Sequence, residues 1–441
     1  MIDKKTIDNP SFAELFSKAI TADAPKWVKD RREAAFARYA SYGIPTIKDE
    51  EWRYTDVSRV AESSYVLPPT IDESRVVSLV AEHAIDEAVA VAVFVNGRFS
   101  KGLSRLEGLS DRVVMGSLAD QLASDNPDVQ SNWGRCDEHE SSSFSSLNEA
   151  LFEDGLFLSV SHEVVLEKPI QALFVTIGDG EPVCVSPRVL AVLGTSCQAS
   201  LVETHVGEGE YFTNNVTEIL AGENAVFDHY HVERESERSV HMSTIQMLQA
   251  RNSNVASKVI SLDGQLIRHD MGVKLDGEGA DCNLRGFYMV DGERHVDNHL
   301  HVDHAKPHCD SREFFKGVLD GAGRGVFRGR ILVREHAQKT DAKQTNQSLL
   351  LSGEARVESK PQLEIFADDV KCTHGATIGQ IDESAMFYLQ SRGLSKDAAR
   401  TLLVYAFACE SLDEIKVDTL REQVNNVIVA RLPQGQLFKD A

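Results

Sequence analysis

TEILAGENAVFDHYHVE, residues 217–233, holds the pattern that decides the fold. Within it Val226, Phe227, Asp228, His229, Tyr230, His231 and Val232 alternate between two sets of side chains. A period of two belongs to an extended strand, not to a helix. The same texture spreads outward on both sides. FLSVS (157–161), QALFVTI (171–177), RVLAVLG (188–194) and QASLVETHV (198–206) are short β-branched and aliphatic runs. Turns are expected at Gly194, Gly207, Gly222, Asn252-Ser253-Asn254, Gly264, Gly277 and Gly286. No helical pattern interrupts the region from about 156 to 381. So many short strands exceed an ordinary sandwich, whereas stacked coils bury one continuous core and leave few open edges. No crisp repeat motif is visible, which favours an irregular β-helix over a propeller with signature blades. A solenoid needs its two ends covered, and the flanking helical pieces are the candidates for that task.

Before the strands, Asn9-Pro10-Ser11 opens a short helix and Pro25 a second, which runs to Gly43 with Val28, Ala35, Phe36 and Tyr39 as its apolar stripe. GIPTIKDEEWRYTDV (43–57) then carries Trp52 and Tyr54, read as aromatic anchors to the neighbouring module. A strand is expected at Ala88–Val95, a turn at Asn96-Gly97, and a polar loop near 125–143. After the strands, Asp382 caps a helix that ends at Gly393. Ser395 caps a second, with Ala399, Leu402, Leu403, Ala406 and Phe407 at helical spacing, and Val417, Leu420, Val424 and Ile428 form a third. These helices are either end covers or a docking surface. The division is 1–145 helical and mixed, 146–381 β-helix, and 382–441 helical.

The chain has 441 residues, and 46 basic against 68 acidic side chains give a net charge of −22. Such a surface repels phosphate backbones and anionic lipid, so neither nucleic acid nor membrane is an expected partner. MIDKKTIDNPSFAEL at the start has no apolar core of an export signal. Cysteines 136, 184, 197, 282, 309, 372 and 409 are scattered and never form Cys-x-x-Cys, which fits reduced thiols in a cytoplasmic protein.

Two groups of residues invite chemistry. Cys372 and His374, in PQLEIFADDVKCTHGATIGQI (361–381), stand two apart in an extended segment and so face one side. A thiolate with an imidazole suits iron, iron–sulfur clusters, zinc or copper, and suits magnesium and calcium poorly. RHVDNHLHVDHAKPHC (294–309) holds His295, His299, His301, His304 and His308 before Cys309. His299 and His301 share a strand face, but five histidines in one strand-and-turn stretch diverge, and a metal needs converging ligands.

Three long motifs appear in order: HVDNHLHVDHAKPHCDSREFFKGVLDGAGRGVFRGRI (295–331), KTDAKQTNQSLLLSGEARVESKPQLEIFADDVKCTHGATIGQIDE (339–383) and FYLQSRGLS (387–395). Together they closely resemble the SufB/SufD family, the scaffold subunits of the SUF iron–sulfur cluster assembly machinery. GIPTIKDEEWRYTDV resembles an N-terminal element of the same family. SufB-type chains carry a cysteine where this sequence has Asn346 and a glutamate where it has Gly375, while Cys372-Thr373-His374 has the form of the SufD branch.

The resemblance implies a right-handed parallel β-helix between N- and C-terminal helical domains. It implies pairing with a SufB-like subunit through the β-helix and with the ATPase SufC through the C-terminal helices, in a complex of one SufB, one SufD and two SufC. A transient iron–sulfur cluster would be shared with SufB, with His374 as a ligand and Cys372 assisting; His304 and His308 would lie at the interface. No G-x-x-x-x-G-K-[ST] loop is present, so ATP would bind only SufC. The isolated chain is a possible homodimer. The competing readings are a β-helix enzyme acting on acidic glycans, a metalloprotein using the 295–309 histidines, and a purely architectural subunit.

Overall fold

The computed structural model describes residues 9–19, 24–136 and 142–435. The stretch before Asn9, and residues 137–141 of the expected polar loop, lie outside them.

Helix α1 (Pro10–Ala19) starts where its sequence places it: Asn9 Oδ1 accepts the Ser11 amide at 2.9 Å, and Asn9 Nδ2 donates to the carbonyls of Val60 and Ser63. α2 (Lys26–Tyr42) follows Pro25 and stops at Gly43, whose φ of +63° suits glycine. Val28, Ala35 and Tyr39 of its stripe are buried. Next come α3 (Ser58–Glu62), α4 (Val77–His83), β1 (Ala90–Val95), β2 (Arg98–Arg105) and β3 (Val113–Ser117). Asn96 and Gly97 join β1 to β2 with φ of 49° and 77°, the left-handed pair that a two-residue hairpin demands. α5 (Leu118–Ala123), α6 (Pro127–Asn132) and α7 (Ser143–Leu151) complete the N-terminal part. α6 lies inside the expected loop. Asn126 accepts the Asp128 amide and Pro127 fills the first turn, so a helix forms despite the polar composition.

The strands that follow are β4 (Gly155–Val160), β5 (Ile170–Val185), β6 (Arg188–Leu193), β7 (Gln198–Ala221), β8 (Val226–Arg234), β9 (Val240–Gln249) and β10 (Asn254–Asp263). After them come β11 (Leu266–Leu275), β12 (Asp281–Val290), β13 (His295–His304), β14 (Asp310–Leu319), β15 (Arg324–Val333), β16 (Asp341–Leu350), β17 (Arg356–Ile365) and β18 (Lys371–Gly379). They pair in parallel into two walls. One wall runs β5, β7, β8, β10, β12, β14, β16, β18, and the other β4, β6, β7, β9, β11, β13, β15, β17. β7 serves both, with Gln198–Val206 against β8 and Phe212–Ala221 against β9. The architecture is a parallel β-helix, as expected. Its first wall begins with β1, which stacks in register on β5.

Gly286 marks no turn and lies inside β12, whereas Gly207 stands at the corner where β7 passes from one wall to the other. A side chain on Gly286 would place its Cβ 2.1 Å from the Phe315 ring in the next coil, so this glycine makes room across the core.

The helices cover the walls and leave the last coil open, which corrects the expectation of end covers. Val404, Ala408, Leu412, Leu420, Val424 and Ile428 of α9 (Lys396–Leu412) and α10 (Asp418–Arg431) pack on Tyr230, Val232, Ile260 and Phe287, the outward side chains of the first wall. Asp382 and Ser395 cap α8 (Glu383–Ser391) and α9 as their sequence requires. On the second wall, Trp52 lies 5.4 Å from Phe144 and 3.7 Å from the Arg268 guanidinium. Tyr54 is 44% exposed and anchors nothing comparable. Where the helices pack, each wall therefore has two buried faces, and apolar side chains are drawn outward as well as inward.

Candidate functional site

Stacking in register turns each inward position into a column that runs along the solenoid. Cys372 stands on Ala342, Ser311 and Cys282, and His374 on Gln344, Glu313 and Leu284. All six residues beneath are buried. In β18 the columns emerge: Cys372 is half-buried against Ala342 and Ile331, and His374 is exposed. Among the described residues β18 pairs only with β16 and β17 only with β15, so both present a free strand edge at this end. The two-residue spacing thus places thiol and imidazole on the inward face of the last, uncovered coil. Burial pushes the Cys372 thiol up, so a metal or a nearby cation is needed to draw out the thiolate. A Cβ on Gly375 would meet nothing within 4 Å, so the outer face of the strand is open at this point.

Asn346 lies deeper, 1% exposed, in the column that ends at Ala376. Its Nδ2 donates to Ser359 Oγ at 3.1 Å and ties the two walls together. An amide there braces the interior and offers no nucleophile. Glu313, below His374 and Gln344, is pushed up to about 8 by burial; Gln344 Nε2, its hydrogen-bond partner, pulls weakly the other way. It is a neutral acid near pH 7.

The 295–309 histidines diverge. His295 faces outward, 3.2 Å from Thr55 Oγ1, and burial lowers its pKa. His299 lies 3.0 Å from Asp297 and within hydrogen-bond distance of Arg268. Burial opposes its charged form, but Asp297 outweighs this and raises its pKa. His304 points into the solenoid, fully buried and 2.9 Å from Ser311 Oγ, which removes it from any interface. His308 occupies a left-handed turn with φ of 58°. None of the five belongs to a convergent ligand group among the described residues.

Convergence occurs elsewhere, where sequence reasoning did not look. Glu203 and His205 of β7, His229, His231 and Glu233 of β8, His241 of β9 and His269 of β11 meet inside the middle coils with Glu235, all but Glu235 completely buried. His229 Nε2 lies 2.9 Å from Glu203 Oε1, and His231 Nε2 lies 2.8 Å from Glu233 Oε1. Burial alone would raise both carboxyl groups, yet their histidine neighbours hold each well below the usual range. Burial depresses His205 to about 4. The same desolvation acts on His231, but the Glu233 and Glu203 charges overcome it and lift it to about 10. The signal was present in the 226–232 alternation, had its odd-numbered set been assigned inward.

Two family models match in chain order. The N-terminal region of SufBD proteins covers residues 8–172, and the SUF system FeS cluster assembly SufBD core domain covers residues 175–407. An iron–sulfur cluster assembly SufBD family protein of Synechocystis is 32% identical over 91% of this chain and 90% of its own length. The iron–sulfur cluster assembly protein SufD of Escherichia coli is 32% identical over 89% of this chain and 90% of its own, and SufD of Bacillus subtilis is 24% identical over 92% and 94%. These matches span the helical N-terminus, the solenoid and its last coil alike. The chain is therefore SufD-like and belongs to the SufBD family of SUF iron–sulfur cluster assembly proteins.

Proposed function

We propose that this chain is a non-catalytic scaffold subunit, which pairs through its open last coil with a SufB-like subunit and holds a nascent iron–sulfur cluster between the two. The observation that carries this reading is the uncovered end of the solenoid, where the free edges of β17 and β18 flank Cys372 and His374. An exposed strand edge is a template for another strand, and proteins normally blunt or cover it. A SufB-like solenoid docked there would continue both walls and enclose the pair. His374 then supplies a neutral nitrogen ligand to the cluster, with Cys372 assisting, opposite thiolate and carboxylate groups of SufB. Imidazole among thiolates is an established way to hold such clusters.

ATP hydrolysis belongs to a SufC-like partner on the C-terminal helices. Dimerisation of two SufC copies would pull the helical regions and open the interface, a rigid-body change driven by differential contacts. No helix among the described residues is long and apolar enough to cross a membrane, in keeping with assembly in the cytoplasm. The same free edges would let two copies of this chain pair when SufB is absent.

His374→Ala tests the ligand role. The side chain is exposed, so its loss should change stability of the isolated chain by no more than about 0.5 kcal/mol. Reconstituted complexes of normal stoichiometry that no longer build cluster support the proposal. Full cluster yield in the variant complex would reduce the chain to an architectural subunit.

A further inference from the structure

His241 is 0% exposed, and neither of its ring nitrogens makes a hydrogen bond. Its ring centroid lies 4.9 Å from that of His205 and 5.5 Å from that of His231. Both nitrogens of His231 and Nε2 of His205 likewise lack an aligned hydrogen-bond partner. Leaving a buried polar group unpaired costs about 1–3 kcal/mol, and native folds carry few of them without an ion or ordered water to explain them. Here five such nitrogens lie on three neighbouring rings. The nearby carboxylates of Glu203, Glu233 and Glu235 form ion pairs only with histidines among the described residues. Buried carboxylates are otherwise paired with cations or bound to metals.

We infer that the interior of the solenoid holds one first-row divalent metal ion on His205, His231 and His241, with Glu203 beside it. One ligand atom from each of the three rings lies within 4.8 Å of the other two. Closing on an ion at metal–nitrogen distances of about 2.0–2.1 Å requires each to move by less than about 1 Å. Glu203 Oε2 lies 3.3 Å from His231 Nδ1 and 3.9 Å from His205 Nε2. Two further carboxylates stand where outer-shell partners belong. Glu233 is 2.8 Å from His231 Nε2, and Glu235 is 3.3 Å from His241 Nδ1, so each orients a ring and leaves its other nitrogen for the ion. Imidazole with carboxylate selects zinc, iron(II), nickel or copper over magnesium and calcium. The ion would staple three successive strands, β7, β8 and β9, across both walls. The rings are fully enclosed, so the metal enters during folding and leaves on unfolding.

The test is elemental analysis of the full chain, purified without a histidine tag, together with refolding from guanidinium in zinc(II) or in EDTA. Expected are about one equivalent of metal that survives EDTA dialysis of the native protein, and a lower unfolding midpoint after refolding in EDTA. His205→Asn and His241→Asn should each lower metal content about tenfold or more, with far-ultraviolet circular dichroism retained. Cys372→Ser/His374→Ala should leave it intact, which separates this site from the open coil. Should the histidine variants fail to fold, refolding the unaltered chain in cobalt(II) should give intense tetrahedral bands without thiolate charge transfer. Metal below about a tenth of an equivalent after refolding in zinc(II), with midpoints equal in zinc and EDTA, would mean bound water only and overturn the inference. Loss of the metal in the Cys372→Ser/His374→Ala chain would overturn it too.

Discussion

Glu313→Gln probes the column beneath His374 without touching its exposed end. Glu313 is buried, its Oε2 accepts from Gln344 Nε2, and its pKa stands at about 8 against an ordinary 4.5. A raised carboxyl pKa means that the folded chain keeps a proton which the unfolded chain has already released. Stability from this group is therefore fully present below about pH 4.5 and is lost as pH rises to about 8. At about 1.4 kcal/mol per pKa unit, the loss between pH 5 and pH 8.5 is about 4 kcal/mol. Glutamine has nearly the same shape and never ionises, so its chain should escape that loss. Urea unfolding of both chains at half-unit steps of pH, with midpoints and m-values fitted together, gives the difference directly. The variant should gain on the native chain steadily from pH 5 to pH 8 and then run parallel to it. A difference that stays within about 1 kcal/mol over this range would refute the reasoning, because Glu313 would then be ionised and paired inside the fold.

Gly286→Ala should destabilise by about 1–3 kcal/mol in urea, because the new Cβ would stand 2.1 Å from Phe315. Adding Phe315→Leu should recover part of the loss; no recovery would place the clash elsewhere. On α8, Phe387 and Tyr388 are 74% and 57% exposed, and the helix buries none of its own residues. Phe387→Ser/Tyr388→Ser should leave the urea midpoint within about 0.5 kcal/mol while weakening capture of a SufC-like ATPase, measured by calorimetry. Unchanged affinity would move that contact off α8.

Much of the architecture was legible because it rests on local rules. Period-two alternation gave the strands, Asn9, Asp382 and Ser395 gave helix starts, and Asn96-Gly97 gave a hairpin. Cys372 and His374 share a face for the same local reason. The 295–309 histidines caught attention by their density, yet density along a strand spreads ligands over opposite faces. The interior cluster was missed because its members are scattered from Glu203 to His269 and meet only across two walls. Gly286 reads as a turn along the chain because the ring it accommodates comes from the next coil.

The amino-acid sequence by itself determined that this chain is a stack of short parallel strands with helical flanks, since strand period and capping chemistry act between near neighbours. Only the tertiary structure decided which side of each strand looks inward. Helices clothe both walls from outside, so Tyr230 and Val232 are buried outward while His229 and His231 are buried inward, and hydrophobicity no longer marks the core. It decided as well that no described residue covers the last coil, because α9 and α10 spend their apolar faces on the wall.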